Sequence, residues 1–276
     1  MPPAPEQASP STPILATVPQ DVFSVGGVMA HTFSAWRRHV LVFSLLTVVA
    51  DLPVLLVAVL ARAPVPGITA PSTSPFDRAA LAAAGPMPSG LWLAYVATML
   101  LFLVEVGAIT HGVIHHLAGK PVSLAAMVTT GLRRFFPLLA VGLLCYVMIT
   151  LGVVLLVVPG VFLACALVAA LPAVVVERPG VFGAIRRSFA LTRGKRFAVF
   201  VALLVVFVVT FALTAFGGFV LPQLTAPLSP MLGVWLGLAV NLVFGTVFWI
   251  VPGVVYHDLR VAKDGIATAK LAAVFE

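Results

Sequence analysis

The stretch that decides the fold is FFPLLAVGLLCYVMITLGVVLLVVPGVFLACALVAALPAVVV, residues 135–176, in which no side chain is charged. As one helix it would be about 63 Å long at 1.5 Å per residue, twice the ~30 Å hydrocarbon core of a bilayer. Pro159 and Gly160 lie near its middle, and both residue types favour turns over helix interiors. The stretch therefore predicts two transmembrane helices joined by a short turn.

The composition of the whole chain also indicates a membrane protein. Of its 276 residues, 61% are hydrophobic and only 9% are charged, whereas ordinary soluble domains carry about 25% charged residues. The net charge of +7 is explained by basic residues beside apolar spans, which set membrane orientation and contact anionic lipid. The composition argues against a soluble domain and against nucleic-acid binding.

Two further regions follow the pattern of the first stretch. Spans at about 39–61 and 91–117 flank a Pro- and Ser-rich external loop, residues 62–90, and a charge-free run near the C-terminus is broken by LPQLTAPLSP. The predicted fold is all-α: a polytopic membrane protein with six transmembrane helices in three hairpins. The hairpins are predicted at about 39–117, 135–176 and 197–256.

The basic residues support six spans. With that count, every lysine and arginine falls on one side of the membrane except Arg62 and Arg78, which lie in the external loop. The positive-inside rule then places both termini in the cytoplasm. The membrane domain is expected to occupy 21–260, between a disordered N-terminal tail (1–20) and a cytoplasmic tail (261–276).

A short amphipathic helix is predicted before each hairpin. DVFSVGGVMAHTFSAWRRHVLVF, VSLAAMVTTGLRRFFPLLAV and GVFGAIRRSFALTRGKRFAVF each carry apolar residues three or four apart, then basic residues, then a span. This pattern is typical of helices in the headgroup region, where each basic residue contributes about 1 kcal/mol of attraction to anionic lipid. The residues predicted to contact anionic lipid headgroups are Arg37, Arg38, Arg133, Arg134, Arg186, Arg187, Arg193, Lys195 and Arg196.

Two motifs give the sequence a resemblance to a known family. AIRRSFALTRGKRF, residues 184–197, is followed by two apolar spans and by YHDLRVAKDG, residues 256–265. In these motifs the chain resembles the bacterial integral membrane domain found attached to some glycerophosphodiester phosphodiesterases, and its stand-alone relatives of unassigned activity. The matching positions are Arg187, Ser188, Phe189, Leu191, Gly194, Tyr256, Asp258, Leu259 and Arg260.

The resemblance covers most of the chain from about Phe23 onward, although Phe189 and Phe197 stand where the family commonly has Trp. It implies a membrane module of the bacterial cytoplasmic (inner) membrane. In the fused members of the family, the hydrolytic activity belongs to a separate barrel domain. No such domain is expected within these residues, so the resemblance implies no catalytic function for this chain.

The sequence itself offers little for catalysis. Hydrolysis of a phosphodiester requires carboxylates, a metal ion and a histidine acting together, whereas the acidic residues here are few and scattered. The chain also has no glycine-rich phosphate loop, nucleophile elbow or paired CxxC motif. We therefore predict a protein without enzymatic activity, metal or cofactor.

Four ionisable residues of the first hairpin form a candidate intramembrane polar site: Asp51, Glu105, His111 and His115. Carboxyl groups near the bilayer centre are costly unless they are paired or protonated. The two carboxyls are interpreted either as a proton or cation site or, preferably, as neutral structural groups. The histidines are four residues apart on one helix face, a spacing that suits a metal and equally suits two half-solvated side chains at a span end.

Small residues recur every fourth position in the last predicted span, at Gly233, Gly237, Asn241 and Gly245. Such spacing lets two helices approach closely, and an asparagine can form a hydrogen bond across the contact. Packing within the chain is the preferred interpretation, and a homodimer face is the alternative.

Together these features predict a non-enzymatic integral membrane protein that organises or regulates lipid-associated machinery. Its partners would be anionic lipid headgroups, with a membrane protein or a second copy of the chain as further candidates. The alternative is a small transporter or permease that uses the polar residues of the first two spans. The two hypotheses differ in whether those polar groups converge on a water-accessible cavity.

Overall fold

The computed structural model describes residues 23–61 and 89–265, and every regular element in those two ranges is helical. The predicted N-terminal tail lies outside them, as do most of the predicted external loop and of the C-terminal tail. The helices are α1 (Val25–Ala61), α2 (Ser89–Leu117), α3 (Leu124–Arg133), α4 (Phe135–Leu155), α5 (Val157–Leu167), α6 (Ala170–Val176), α7 (Val181–Thr192), α8 (Arg196–Ala215), α9 (Leu221–Thr225) and α10 (Pro230–Asp264), with a π-helical turn, Phe216–Val220, between α8 and α9.

Six helical segments within the described ranges are long and apolar enough to cross a bilayer, which indicates a multi-pass membrane protein. They are Val25–Leu56, Trp92–Leu117, Phe135–Leu155, Val157–Val176, Arg196–Thr225 and Met231–Asp264. The prediction of an all-α protein with six long apolar helices is therefore confirmed.

Many large apolar side chains lie on the outer surface of these helices. Leu41 and Val154 are 83% and 79% exposed, whereas Phe43, Ile109 and Ile250 are fully buried. Exposing so many large apolar side chains to water would cost about 25 cal/mol for each Å². Lipid tails are the solvent that removes this cost.

The last helix of the described residues, α10, is the central element of the bundle. It contacts α1, α2, α6, α7 and α8, while α1 also packs on α2, α4 on α5, and α3 on α2. The C-terminal half of α10 accordingly contributes the fully buried side chains Val254, Val255, Tyr256 and Leu259.

The turn between α4 and α5 lies three residues before the predicted position. Leu156 is extended, with φ −165° and ψ 143°, and the predicted turn residues Pro159 and Gly160 lie inside the first turn of α5. A proline is tolerated there because the first backbone N–H groups of a helix have no intrahelical partner. Gly160 serves close packing instead, since a Cβ at this position would come within 2.7 Å of the Val153 backbone nitrogen.

The interruption predicted by LPQLTAPLSP is only partly a turn. After α8 the chain continues through the π-helical turn into α9, with Pro222 in the first turn of that helix. The chain reverses direction over residues 226–229, before α10 begins at Pro230.

A bend in α1 coincides with the predicted start of the first span. His39 has non-helical dihedrals (φ −126°, ψ 22°), which separate residues 25–38 from the rest of the helix. Its ring nitrogen Nε2 lies 3.2 Å from Nδ1 of His116, near the end of α2.

Polar contacts gather several helix ends at one end of the bundle, which we call the polar end. His31 of α1 lies 3.0 Å from Asp258 of α10, and Ser34 of α1 lies 3.1 Å from His116 of α2. Arg187 of α7 also binds the last residue of α10. The start of α1, the end of α2, α7 and the end of α10 therefore lie together.

Candidate functional site

The polar end is held together by an ion-pair network centred on Arg187. Its Nε donates hydrogen bonds to both carboxylate oxygens of Glu177, at 3.0 and 2.9 Å. Its Nη2 donates to Asp264. Because Glu177 directly follows α6 and Asp264 ends α10, one guanidinium connects three elements.

Two side chains of α10 complete this network. The Tyr256 hydroxyl donates to Glu177 Oε1 at 2.8 Å, and Arg260 Nη1 donates to the Tyr256 oxygen at 2.8 Å. We call Glu177, Arg187, Tyr256, Arg260 and Asp264 the clasp. Burial by itself would lower the pKa of Arg187, but the hydrogen bonds and charges of Asp264 and Glu177 raise that pKa above its ordinary value. The clasp therefore contains a permanently charged arginine.

The structure changes the interpretation of two predicted headgroup residues. The sequence predicts a lipid contact for Arg187, but its guanidinium is occupied by two carboxylates. Arg196 also turns toward the protein, because its guanidinium lies 4.6 Å above the ring of Phe162, a cation–π contact. Repeated basic spacing cannot distinguish these two side chains from their exposed neighbours.

Other predicted headgroup residues are exposed beside exposed aromatic rings. Arg133, Arg186 and Arg193 are exposed, as are Arg37 and Arg38, while Arg134 and Lys195 are half-buried. Phe136, Phe182 and Phe197 lie close to them in the chain and are 77%, 80% and 79% exposed. Exposed basic and exposed aromatic side chains therefore lie close together along the chain in these segments.

The helix that carries Arg186 and Arg187 is anchored from its other face. The Ser188 hydroxyl donates to the backbone oxygen of Ala166 in α5 at 2.7 Å, and Thr192 donates to the Ser188 oxygen at 2.9 Å. Gly194 then adopts φ 81°, a conformation that suits glycine. Several residues that carry the family resemblance therefore have packing roles.

A cavity of about 310 Å³ lies between α1, the π-helical turn and α10. Asp51, Thr47, Asn241 and Trp249 contribute to its lining. Glu105 is close behind, because the Thr47 hydroxyl donates to Glu105 Oε1 at 2.5 Å. Two of the four residues of the predicted intramembrane site are thus brought to one place.

The two histidines of that predicted site lie elsewhere. His111 and His115 stack on each other with ring centroids 4.2 Å apart, and His111 Nδ1 lies 3.3 Å from the hydroxyl of Thr130 in α3. Neither lines the cavity. In the part of the chain that the structure describes, no group of three or more potential metal ligands is found.

The small residues of α10 divide into two groups. A Cβ on Gly237 would clash with the Gly217 backbone oxygen, and one on Gly233 would come within 2.5 Å of the Pro222 Cα. Both glycines therefore allow α10 to touch the preceding segment of the same chain. Asn241 donates to the Gly237 oxygen at 2.9 Å. Gly245 borders the cavity, and a Cβ added to it would have no neighbouring atom within 4 Å.

Sequence reasoning did not predict that the two acidic residues of the clasp, Glu177 and Asp264, would bind Arg187. Tyr256, Arg260 and Asp264 are four residues apart, so they share one face of α10, and this spacing was the available signal. The lining residues Thr47 and Trp249 carried no comparable signal, because a cavity exists only once distant helices pack.

No family model, curated protein or solved structure matches this chain.

Proposed function

We propose that the protein is a non-enzymatic membrane module that organises or regulates lipid-associated machinery through anionic headgroups. The observation that carries this proposal is the pairing of exposed arginines with exposed phenylalanines at the polar end, as in Arg186 with Phe182. Rings of this kind enter the acyl boundary while guanidinium groups stay with lipid phosphates.

The proposal includes an orientation. The polar end would face the cytoplasm of a bacterial inner membrane, since it carries nearly all the lysines and arginines of the described ranges. The chain would then form three hairpins, each preceded by an amphipathic segment: the part of α1 before His39, α3, and α7. The resemblance to the membrane domain of glycerophosphodiester phosphodiesterases supports the same assignment.

Lipid selectivity tests this proposal. We expect the purified protein, reconstituted with equal phosphatidylglycerol and phosphatidylcholine, to retain phosphatidylglycerol preferentially after detergent extraction, as measured by mass spectrometry. Replacing Arg133, Arg186 and Arg193 with Gln should reduce this enrichment, and added salt should do the same, because exposed charges are screened. The matched control changes the same three residues to Lys and should keep the enrichment. Equal retention of both lipids by the wild type would refute the proposal.

A second candidate function rests on the cavity. Asp51 lines it and Glu105 approaches it through Thr47, and ionisable groups at such depth commonly mark proton or cation paths. A small transporter would use these two carboxyls, without the histidine pair.

Flux measurements test the second candidate. Proteoliposomes should show a proton or cation flux that Asp51→Asn and Glu105→Gln both abolish while the protein stays folded. The control His111→Gln should retain the flux, because His111 does not line the cavity. Wild-type flux no higher than that of empty liposomes would rule this function out.

A further inference from the structure

Three arginines surround a small pocket at the polar end, apart from the clasp and from the intramembrane cavity. The pocket has a volume of about 80 Å³ and is lined by Thr130, Arg133, Arg134, Val175 and Arg178. It lies where the end of α3 meets the end of α6. Its volume is about a quarter of that of the intramembrane cavity.

Among the described residues, no carboxylate compensates the positive charge of this pocket. Across residues 23–61 and 89–265, none of the guanidinium groups of Arg133, Arg134 and Arg178 forms an ion pair with a carboxylate. Burial and the charge of Arg178 lower the pKa of Arg134, so these two cations repel each other. Glu177, which directly precedes Arg178, is already bound to Arg187 and Tyr256 within the clasp.

The backbone at Arg178 adds an independent observation. Arg178 has φ 57°, the one non-glycine residue with positive φ in the described ranges. This region is unfavourable for side chains with a Cβ, and the following Pro179 restricts the residue further. Gly180, two residues later, has φ 75°, so the same loop uses glycine at a comparable position. A large side chain kept in a strained conformation points to a role for that side chain.

We propose that this pocket binds a phosphoryl group, held mainly by Arg134 and Arg178, with Arg133 at its rim. Guanidinium groups bind phosphate oxygens through paired hydrogen bonds, and the phosphate supplies the negative charge that the pocket lacks. The Thr130 hydroxyl already donates to the Ala126 oxygen at 2.8 Å, so Thr130 lines the pocket without donating a hydrogen bond to the phosphoryl group. The phosphoryl group belongs to a lipid headgroup or to free phosphate. If the phosphoryl group belongs to a lipid, the inference rests on the proposed function and assigns one defined binding pocket to the lipid-contacting surface of the polar end.

Binding to the full-length protein in neutral detergent tests the pocket. One titration uses short-chain phosphatidylglycerol and the other uses inorganic phosphate, each followed by the shift in melting temperature that a bound ligand causes. The double variant Arg134→Gln/Arg178→Gln should weaken binding at least tenfold. The comparison variant Arg186→Gln/Arg193→Gln removes the same charge from exposed headgroup positions outside the pocket. Its loss of binding measures the general surface attraction alone and should be the smaller one, below threefold.

The two titrations also identify the source of the phosphoryl group. Phosphatidylglycerol binding that millimolar inorganic phosphate does not displace assigns the pocket to a lipid headgroup. Binding of inorganic phosphate that depends on Arg134 and Arg178, without a preference for anionic lipid, assigns it to free phosphate and refutes the lipid module. Equal losses in the two double variants refute the pocket but leave the lipid module standing. No binding of either probe by the wild type refutes both.

A single-residue variant separates binding from folding. Arg178→Gly removes the cation and also relieves the positive-φ strain. We expect its melting temperature without ligand to stay at or above that of the wild type, while its phosphoryl affinity falls as in the double variant. Unchanged affinity in Arg178→Gly would overturn the proposal.

Discussion

Replacing Arg187 with Gln tests the clasp most directly. An exposed ion pair contributes about 0.2–1 kcal/mol, whereas removing one partner of a buried pair costs about 3–5 kcal/mol. The side chains of Arg187, Glu177 and Asp264 are 27%, 18% and 24% exposed. Their ion pairs are therefore intermediate between the exposed case and the buried case. Glu177 would also keep its hydrogen bond from Tyr256 and its ion pair with Arg260. We therefore expect the free energy of unfolding to fall by about 2 kcal/mol.

Reversible unfolding of the purified protein in detergent by added denaturing surfactant, followed by circular dichroism, would measure this change. The control is Arg186→Gln, which removes the same charge one position earlier from an exposed side chain. Surface substitutions of this kind usually change stability by less than about 0.5 kcal/mol.

A double-mutant cycle with Asp264→Asn isolates the contact between α7 and α10. We expect a coupling energy of about 1 kcal/mol between Arg187 and Asp264, within the range seen for residues in one ion-pair network. If Arg187→Gln costs no more than Arg186→Gln and the coupling energy is near zero, the clasp does not stabilise the bundle.

Three other expectations can be checked with single variants or fusions. Gly237→Ala should cost about 1–3 kcal/mol of unfolding free energy because its Cβ would clash with the Gly217 backbone oxygen. The control Gly245→Ala places its Cβ in open space and should be neutral or stabilising. Equal losses of stability in the two variants would contradict the packing interpretation. Tyr256→Phe removes a buried hydroxyl that links two charged partners, so unfolding measurements should show a loss of about 1–3 kcal/mol, and wild-type stability would contradict its bridging role. A reporter fused after Glu276 should be active in the cytoplasm and one inserted near Ser74 should report the outside, and an external C-terminus would overturn the proposed orientation.

The six apolar helices could be predicted because their signal is local. A charge-free run twice as long as a bilayer is thick must turn, whatever its neighbours are. The position of the turn was less predictable, since Pro159 and Gly160 are compatible with either a turn or the first turn of a helix. Packing of Gly160 against Val153 decides between them, and this contact forms only when α4 and α5 meet.

The candidate sites depended more strongly on tertiary contacts. Arg186 and Arg187 are adjacent and chemically identical, yet one is exposed and the other is bound to a carboxylate 77 residues away. The separation of Asp51 from the histidine pair has the same origin, because the cavity is formed by α1 and α10 whereas His111 faces α3. Residue type and spacing indicated which side chains were unusual, but not which partner each would find.

The central position of α10 has a consequence for the order of biosynthesis. Glu177 and Arg187 leave the ribosome before their partners Tyr256 and Asp264. Arg187 and Asp264 are 77 residues apart in the chain. At about 5–20 residues per second, this delay is roughly 4–15 s. During that interval α1, α2, α6 and α7 all lack the helix on which they pack. Because α10 is translated after the helices on which it packs, it completes their assembly.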